Sequence, residues 1–308
     1  MQTILGANGT IGSLLARELR NYTSQIRLVS RNPVKINETD LLFPADLTDP
    51  EQVEAAVAGS EIVYLLVGFE YKLGVWQRNW PLLMDAVIDA CKKHQSKLVF
   101  FDNVYLYAAS EIGHMTESSR IAPPSKKGAV RKQIAERLLQ EISGGKLTAL
   151  IARAPDFYGP GNDKSFLIEM VYKNLKSGKR PNWLINANKN HSFIYTPDAA
   201  KATALLANTP DAFGQVWHLP TDKNQLTVKQ LTAYFNQEMQ LNKKLLVLPR
   251  FMIRLLGLFI PVMREIPEML YQYDRDYFFD ASKFENRFGF RPTTYLEGVR
   301  QIVLNDKK

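Results

Sequence analysis

The sequence predicts an α/β protein with a doubly wound parallel sheet and a smaller C-terminal α+β substrate domain. Strand and helix patterns alternate through the first half of the 308 residues, as in repeated β-α-β units. Residues 62–67 form an unbroken apolar run, which is typical of a strand buried on both faces. A glycine-rich turn at residues 6–12 joins the first strand to the first helix, so we class the sheet as Rossmann-type.

The elements of the first half follow from apolar periodicity and from residues that start helices. Asp49 followed by Pro50 is a typical helix start, because Asp caps free N–H groups and Pro fits the first helical position. The predicted strands are residues 3–5, 26–30, 62–67, 97–101 and 147–152. The predicted helices are residues 10–21, 50–58, 81–93 and 128–142.

The second half has a mixed pattern. Helical periodicity is found at residues 165–176, 228–239, 250–259 and 295–304. Residues 197–206 and 215–219 are predicted to return to the sheet. We therefore predict a dinucleotide-binding domain of residues 1–160 plus 193–219, and a substrate domain of residues 161–192 and 220–308.

Composition excludes several classes of protein. The formal charge is +8, but the basic groups at 126–132 and 173–180 lack interleaved aromatic residues. We interpret them as solvated helix faces, with a funnel for an anionic ligand as the alternative, and predict no nucleic-acid partner. No apolar run reaches the roughly 20 residues that cross a bilayer, so we predict no stable membrane insertion. The chain opens without a secretory signal, and its single Cys91 fits a cytoplasmic location.

Three further patterns give no specific functional signal. Residues 250–264 combine arginines with apolar side chains, and we interpret them as a helix of the substrate domain, with a membrane-surface helix as the alternative. The four histidines are far apart and lack metal-ligand spacing, so no metal site is predicted. No G-x-S-x-G motif or Cys/His pairing indicates a hydrolase.

The glycine turn is the cofactor signal. Gly6, Gly9 and Gly12 follow a strand and open a helix. The first glycine permits a sharp turn, the second lets the backbone approach a diphosphate, and the third lets the helix pack on the strand. The helix N-terminus then offers free N–H groups to the phosphates. The spacing is G-x-x-G-x-x-G rather than G-x-G-x-x-G.

The end of the second strand predicts which dinucleotide binds. An Asp or Glu at this point favours NAD, because it accepts from the ribose 2′-hydroxyl. This sequence has Ser30-Arg31 there. A guanidinium has the charge and fork geometry that suit a 2′-phosphate, so we predict NADP, with NAD as the alternative.

Several stretches in the expected order resemble the extended short-chain dehydrogenase/reductase family, which includes epimerases and dehydratases. They are the glycine turn, Ala45-Asp46-Leu47, Leu66-Val67-Gly68, the R-x-x-x-x-Y-G-P-G pattern at 153–161, residues 192–200 and residues 288–292. The resemblance implies a nicotinamide cofactor, a small-molecule substrate and a homodimer. The cofactor contacts that the turn, the strand ends and the resemblance imply are Gly6, Asn8, Gly9, Thr10, Ile11, Gly12, Arg31, Asp46, Leu47, Leu66, Val67, Gly68, Lys132, Pro155 and Phe157.

The catalytic motif of that family is incomplete here. Its chemistry uses a Tyr four residues before a Lys on one helix face, and a Ser or Thr after the preceding strand. Lys132 matches the lysine, but Gly128 stands at the tyrosine position and Asn103 at the Ser/Thr position. Tyr107 matches a family tyrosine near the substrate. We take Asn103, Tyr107 and Lys132 as the catalytic candidates, with Tyr105 or Tyr158 as other sources of a phenol.

Two functions remain open from the sequence. The first is an atypical NADP(H)-dependent oxidoreductase, epimerase or dehydratase relative that acts on a small carbonyl, alcohol or sugar-nucleotide substrate. The second is a non-catalytic protein that senses NADP or regulates a partner, which the missing phenol at Gly128 favours.

Overall fold

The computed structural model describes residues 1–162 and 165–306. The strands are β1 Gln2–Leu5, β2 Ile26–Ser30, β3 Leu41–Pro44, β4 Ile62–Leu65, β5 Lys97–Asp102, β6 Ala149–Arg153, β7 Asp156–Tyr158, β8 Asn182–Leu184, β9 Phe193–Tyr195, β10 Val216–His218 and β11 Leu246–Leu248. The helices are α1 Thr10–Leu19, α2 Pro50–Val57, α3 Leu73–Lys93, α4 Lys126–Ser143, α5 Lys173–Lys176, α6 Thr196–Ala207, α7 Val228–Glu238, α8 Arg250–Leu256, α9 Ser282–Phe288 and α10 Tyr295–Asn305.

Seven strands form one parallel sheet in the order β10-β6-β5-β4-β1-β2-β3. The order reverses at β1, which pairs with β2 on one side and with β4 on the other. This reversal is the switch point at which doubly wound sheets bind ligands. Every residue of β1 and β4 is buried, as expected for central strands covered on both faces. The predicted fold class is confirmed.

The described residues form two compact units. The first consists of Met1–Leu106, Lys127–Ala154 and Ala199–Leu219, and it contains the seven-stranded sheet. The second consists of Tyr107–Lys126, Pro155–Asp198 and Pro220–Lys308. Residues 107–126, 155–160 and 193–198, which the sequence analysis placed in the dinucleotide-binding domain, therefore fall in the second unit.

The second unit contains two short parallel pairs of strands, β7 with β9 and β8 with β11. Helices α7 and α10 each begin with a capping box, in which the Thr227 or Thr294 hydroxyl and a side chain three residues later satisfy backbone N–H groups at the helix start. No helix in the described part of the chain is long and apolar enough to cross a membrane.

Three elements of the central sheet and its covering helices differ from the sequence predictions. Residues 197–206 are predicted to return to the sheet, but they lie in α6, which buries several alanines; only the 215–219 segment gives a strand, β10. The third predicted helix begins at Leu73 rather than at residue 81, because Trp76 and Trp80 bury their rings and so extend the core-facing stripe past Pro81. Edge strand β3 was missed, since exposed side chains hide its pattern. In the second unit, the predicted helix at 165–176 is a π-helix, Ile168–Tyr172, followed by α5.

Candidate cofactor site and catalytic region

The turn after β1 is shaped by glycines. Gly6 has a φ of +93°, and a Cβ placed on it would lie 2.9 Å from the Leu66 carbonyl oxygen and 3.0 Å from the Val67 Cα. A side chain is therefore excluded twice, by backbone conformation and by the backbone that follows β4. The structure thus brings Gly6 together with Leu66 and Val67, three of the predicted cofactor contacts.

The start of α1 also depends on a glycine that allows a close backbone approach. A Cβ on Gly12 would lie 2.8 Å from the carbonyl oxygens of both Gly6 and Ala7, so glycine lets the helix approach the turn closely. Gly9 is the residue before the helix, and among the described residues no side chain caps the first turn. Thr10 and Ile11 are the first helical residues. Their end of the helix presents backbone N–H groups and a positive dipole end.

This geometry fits a dinucleotide. A Cβ on Gly6 would overlap the backbone that follows β4, so glycine lets the turn close, and the N-terminus of α1 that comes next has no side-chain cap in the described part of the chain. A tight turn followed by an uncapped helix start, here called the cradle, can bind a diphosphate through N–H groups and the helix dipole.

The ends of β2 and β3 carry the predicted adenosine contacts. Asn8 Nδ2 donates to the Asn32 carbonyl oxygen at 2.7 Å, which ties the glycine turn to the residue after Arg31. The Thr48 N–H and hydroxyl donate to the Asp46 carboxylate at 3.0 and 2.8 Å and hold the pKa of Asp46 below its usual value. The nearby Arg31 guanidinium contributes to the same shift. Arg31 and Asp46 are thus neighbours, whereas Leu47 is buried.

A buried ion cluster fixes the end of β5. Asp102, the last residue of the strand, accepts from Arg131 Nε at 2.9 Å and also from Arg131 Nη2. Its other oxygen accepts from Arg153 Nε at 3.2 Å and Nη2 at 3.1 Å. The Arg131 guanidinium lies 4.4 Å from the Trp80 ring and 5.0 Å from the Phe100 ring. These paired and stacked charges hold β5, β6 and α4 together.

Asn103 follows this cluster directly. Its Oδ1 accepts from the Tyr105 N–H at 3.1 Å, so the Nδ2 amide is the group that can donate to a substrate oxygen. The Tyr105 ring is half-buried and stacks on Trp76, with centroids 6.1 Å apart and planes at 16°. Trp76 and Trp80 are buried, and their indole N–H groups have no hydrogen-bond partner in the described part of the chain.

Helix α4 buries charged residues on the face where apolar residues are expected. Lys127 and Arg131, four residues apart, are buried, and the Lys127 ammonium lies 4.8 Å from the Tyr71 ring centroid. Gly128, at the position of the family tyrosine, is also buried. Lys132 instead lies in a groove with Pro81 and Asp85 of α3, at 3.8 Å from Glu136 on its own helix.

The tyrosines weighed as proton donors differ in access. Tyr107 and Tyr158 are buried, whereas Tyr105 is partly exposed. Burial raises the pKa of Tyr158 well above its usual value, so this phenol stays protonated at neutral pH. Its hydroxyl has no hydrogen-bond partner among the described residues, and its ring packs against Gly298, where a Cβ would lie 2.6 Å away.

The remaining predicted contacts are placed as follows. Gly68 is exposed after β4, and a Cβ on it would meet no heavy atom within 4 Å. Pro155 and Phe157 belong to the second unit, where the Phe157 carbonyl oxygen accepts from Ser165. The sequence analysis missed Asp102, Arg131 and Arg153. One signal was available, since an arginine within the apolar stripe of α4 requires a buried carboxylate partner.

The sequence also matches a known family. A sequence model of the NAD dependent epimerase/dehydratase family matches residues 3–219. The chain belongs to this family. The resemblance drawn from the motifs is thereby confirmed, and the family is one of enzymes that use a nicotinamide dinucleotide. No curated protein matches the sequence.

Solved structures share the fold over nearly the whole chain. A double mutant of DesIV, a dTDP-glucose 4,6-dehydratase from Streptomyces venezuelae with NAD and DAU bound, has a TM-score of 0.82 at 16% identity, covering 100% of this chain and 97% of its own. UDP-N-acetylglucosamine 4-epimerase from Bacillus cereus gives 0.78 at 16% identity, covering 99% and 96%. UDP-glucuronic acid 4-epimerase from Bacillus cereus in complex with NAD gives 0.77 at 16%, covering 100% of both chains. At this identity, the likeness concerns the fold.

Proposed function

We propose that the protein is an NADP(H)-dependent oxidoreductase or epimerase/dehydratase that acts on a small carbonyl or alcohol. The cradle formed by Gly6, Gly12 and the start of α1 supports this proposal, because the two glycines let the turn pack closely on backbone and the uncapped helix start leaves N–H groups for a diphosphate. Bound there, the nicotinamide would exchange a hydride with a substrate carbon. The named activities of the structural neighbours make a sugar nucleotide one candidate substrate.

Preference for NADP rests on the end of β2. Arg31 is exposed there. Its guanidinium can donate two hydrogen bonds to a 2′-phosphate. The nearest carboxylate, Asp46, already accepts from Thr48.

For the chemistry, we propose that the Asn103 Nδ2 amide donates to the substrate oxygen. Of the tyrosines weighed, Tyr105 is the one that a substrate can reach without rearrangement, so it is our first choice for the proton. Trp76 stacks on Tyr105 and also contacts the rings of Tyr71 and Trp80, which favours a substrate with an apolar or planar body next to its carbonyl. Tyr107 and Lys132 stay predictions, and the groove position of Lys132 lends its role no support.

The NADP proposal is tested with Arg31→Asp. We expect the Kd for NADP to rise by roughly 10- to 100-fold, because a charged hydrogen bond of about 1.5–3 kcal/mol is lost, while the Kd for NAD changes little. Titration calorimetry with both dinucleotides measures this, and Arg78→Asp, an exposed arginine on α3, is the control. Equal effects on NAD and NADP would refute the assignment of Arg31 to the 2′-phosphate.

A non-catalytic NADP sensor is the second candidate, and the glycine at position 128 favours it, because the family phenol is absent. Nicotinamide absorbance recorded with a panel of apolar carbonyls and sugar nucleotides separates the two. Turnover that falls in Asn103→Ala supports the enzyme; tight NADP binding without turnover supports the sensor.

We also propose that the protein is located in the cytoplasm and forms a homodimer. The single cysteine, Cys91, is buried as a free thiol, which fits a reducing compartment. The homodimer follows from the family resemblance, and sedimentation velocity measures it.

A further inference from the structure

The second unit exposes an unusual concentration of apolar side chains between residues 246 and 262, here called the apolar segment. Fourteen large apolar side chains are exposed in the described part of the chain, and eight of them lie in this segment. They are Leu246, Val247, Phe251, Leu255, Leu258, Phe259, Ile260 and Val262. Single exposed apolar residues are ordinary, but a contiguous group marks an interaction surface.

The spacing puts the most exposed members on one side of α8 and the turn after it. Phe251, Leu255 and Leu258, at positions i, i+4 and i+7, are 68%, 55% and 64% exposed. Ile253, on the other side of the helix, is buried, so the helix is anchored by one face and presents the opposite face outward. Phe259 at the tip of the turn is 77% exposed.

The backbone of this tip is satisfied by the segment itself. The N–H groups of Leu258, Phe259 and Ile260 donate to carbonyl oxygens of α8 at 3.0, 3.1 and 2.8 Å. Arg264 donates to the carbonyl oxygens of Gly257 at 2.6 Å and Leu258 at 3.0 Å. A tip with its polar groups paired internally can enter an apolar medium at low cost.

The positive charge of this stretch favours an anionic bilayer over a second copy of the chain as the partner. Residues 239–264 contain two lysines and three arginines, and no aspartate or glutamate. Lys244 and Arg254 are exposed along the same stretch. Each Lys or Arg near an anionic bilayer contributes about 1 kcal/mol of attraction, whereas the face of a second copy of this chain would bring the same positive charges together.

We propose that the apolar segment docks the protein on the surface of an anionic lipid bilayer. Leu258 and Phe259 enter the boundary between headgroups and acyl chains, and the exposed Lys244 and Arg254 contact the anionic headgroups. The inference stands apart from the proposed reaction, because it needs neither the cofactor cradle nor Asn103.

The test is co-sedimentation of the full chain with vesicles. Wild-type protein is expected to bind vesicles of mixed phosphatidylglycerol and phosphatidylcholine at least about tenfold more strongly than phosphatidylcholine alone. Leu258→Asp combined with Phe259→Asp should lower binding by at least about tenfold, because two apolar side chains are lost from the interface. Leu304→Asp, an exposed leucine on α10, is the matched control and should bind as wild type.

A charge variant tests the proposed contact between basic side chains and anionic headgroups. Arg254→Glu should lose the preference for phosphatidylglycerol by about fivefold while keeping the far-ultraviolet circular dichroism spectrum of the wild type, which shows that the variant folds. Wild-type protein that stays in the supernatant with both vesicle types overturns the proposal. The proposal is also overturned if the Leu258→Asp and Phe259→Asp double variant binds vesicles as strongly as wild type. It is overturned as well if the double variant only converts a dimer into monomers, because the apolar segment would then bind a second copy of the chain.

Discussion

The turn after β1 and the region after β5 lie at the same edge of one sheet, yet they are built in different ways. The turn works by omitting side chains, since a Cβ at Gly6 or Gly12 would lie within 3.0 Å of backbone atoms. The region after β5 works through side chains, with Asp102 held between Arg131 and Arg153 and Asn103 following it. The first has the spacing of the family, whereas the second lacks the family tyrosine and serine or threonine. The glycine motif can therefore be recognised from the sequence, whereas the side chains after β5 do not match the family pattern.

Removal of the buried charge should show the largest effect. Asp102→Asn leaves two buried guanidinium groups without their carboxylate, so we expect the free energy of unfolding to fall by about 3–5 kcal/mol. Urea denaturation measures it. Asp85→Asn, which breaks an exposed ion pair with Arg137, is the control and should cost less than about 1 kcal/mol. Equal losses would mean that the buried cluster does not hold the strand end.

An added methyl group in the turn should show the next largest effect. Gly6→Ala meets a positive φ and nearby backbone, so we expect about 1–3 kcal/mol of destabilisation and at least a tenfold rise in the Kd for NADP. Gly74→Ala is the control, because a Cβ there meets no heavy atom within 4 Å and alanine favours the helix. Unchanged NADP affinity in Gly6→Ala would show that the diphosphate does not bind at this turn.

The smallest effect is expected at Lys132. If it held the nicotinamide ribose, Lys132→Ala would raise the Kd for NADP about tenfold. Lys132 is 40% exposed beside Glu136, in a groove with residues of α3, and we therefore expect less than a threefold change. Titration calorimetry decides between the two values. A tenfold rise in the Kd for NADP would mean that Lys132 contacts the nicotinamide ribose, as the family lysine does, and that the groove rearranges when the cofactor binds.

The sequence predicted what local rules determine. Six of the seven strands of the central sheet, the glycine turn and the start of α2 at Asp49 depend on neighbouring residues, and they were found where expected. The pairing of Asp102 with Arg131 and Arg153 joins residues 29 and 51 positions apart, which periodicity cannot reveal. The orientation of Lys132 depends on which face of α4 meets the sheet, and the buried Lys127 and Arg131 occupy that face. The usual rule places charged residues of a helix on its solvent face, and the buried Lys127 and Arg131 of α4 do not follow that rule.

The stacking of Arg131 on Trp80 has a spectroscopic consequence. Two of the four tryptophans, Trp76 and Trp80, lie beside the end of β5, and a guanidinium faces one of their rings. Indole emission responds to the electric field of a nearby cation, so movement of this strand end would change the intrinsic fluorescence of the unlabelled protein. The chain thus carries its own optical probe at the end of β5.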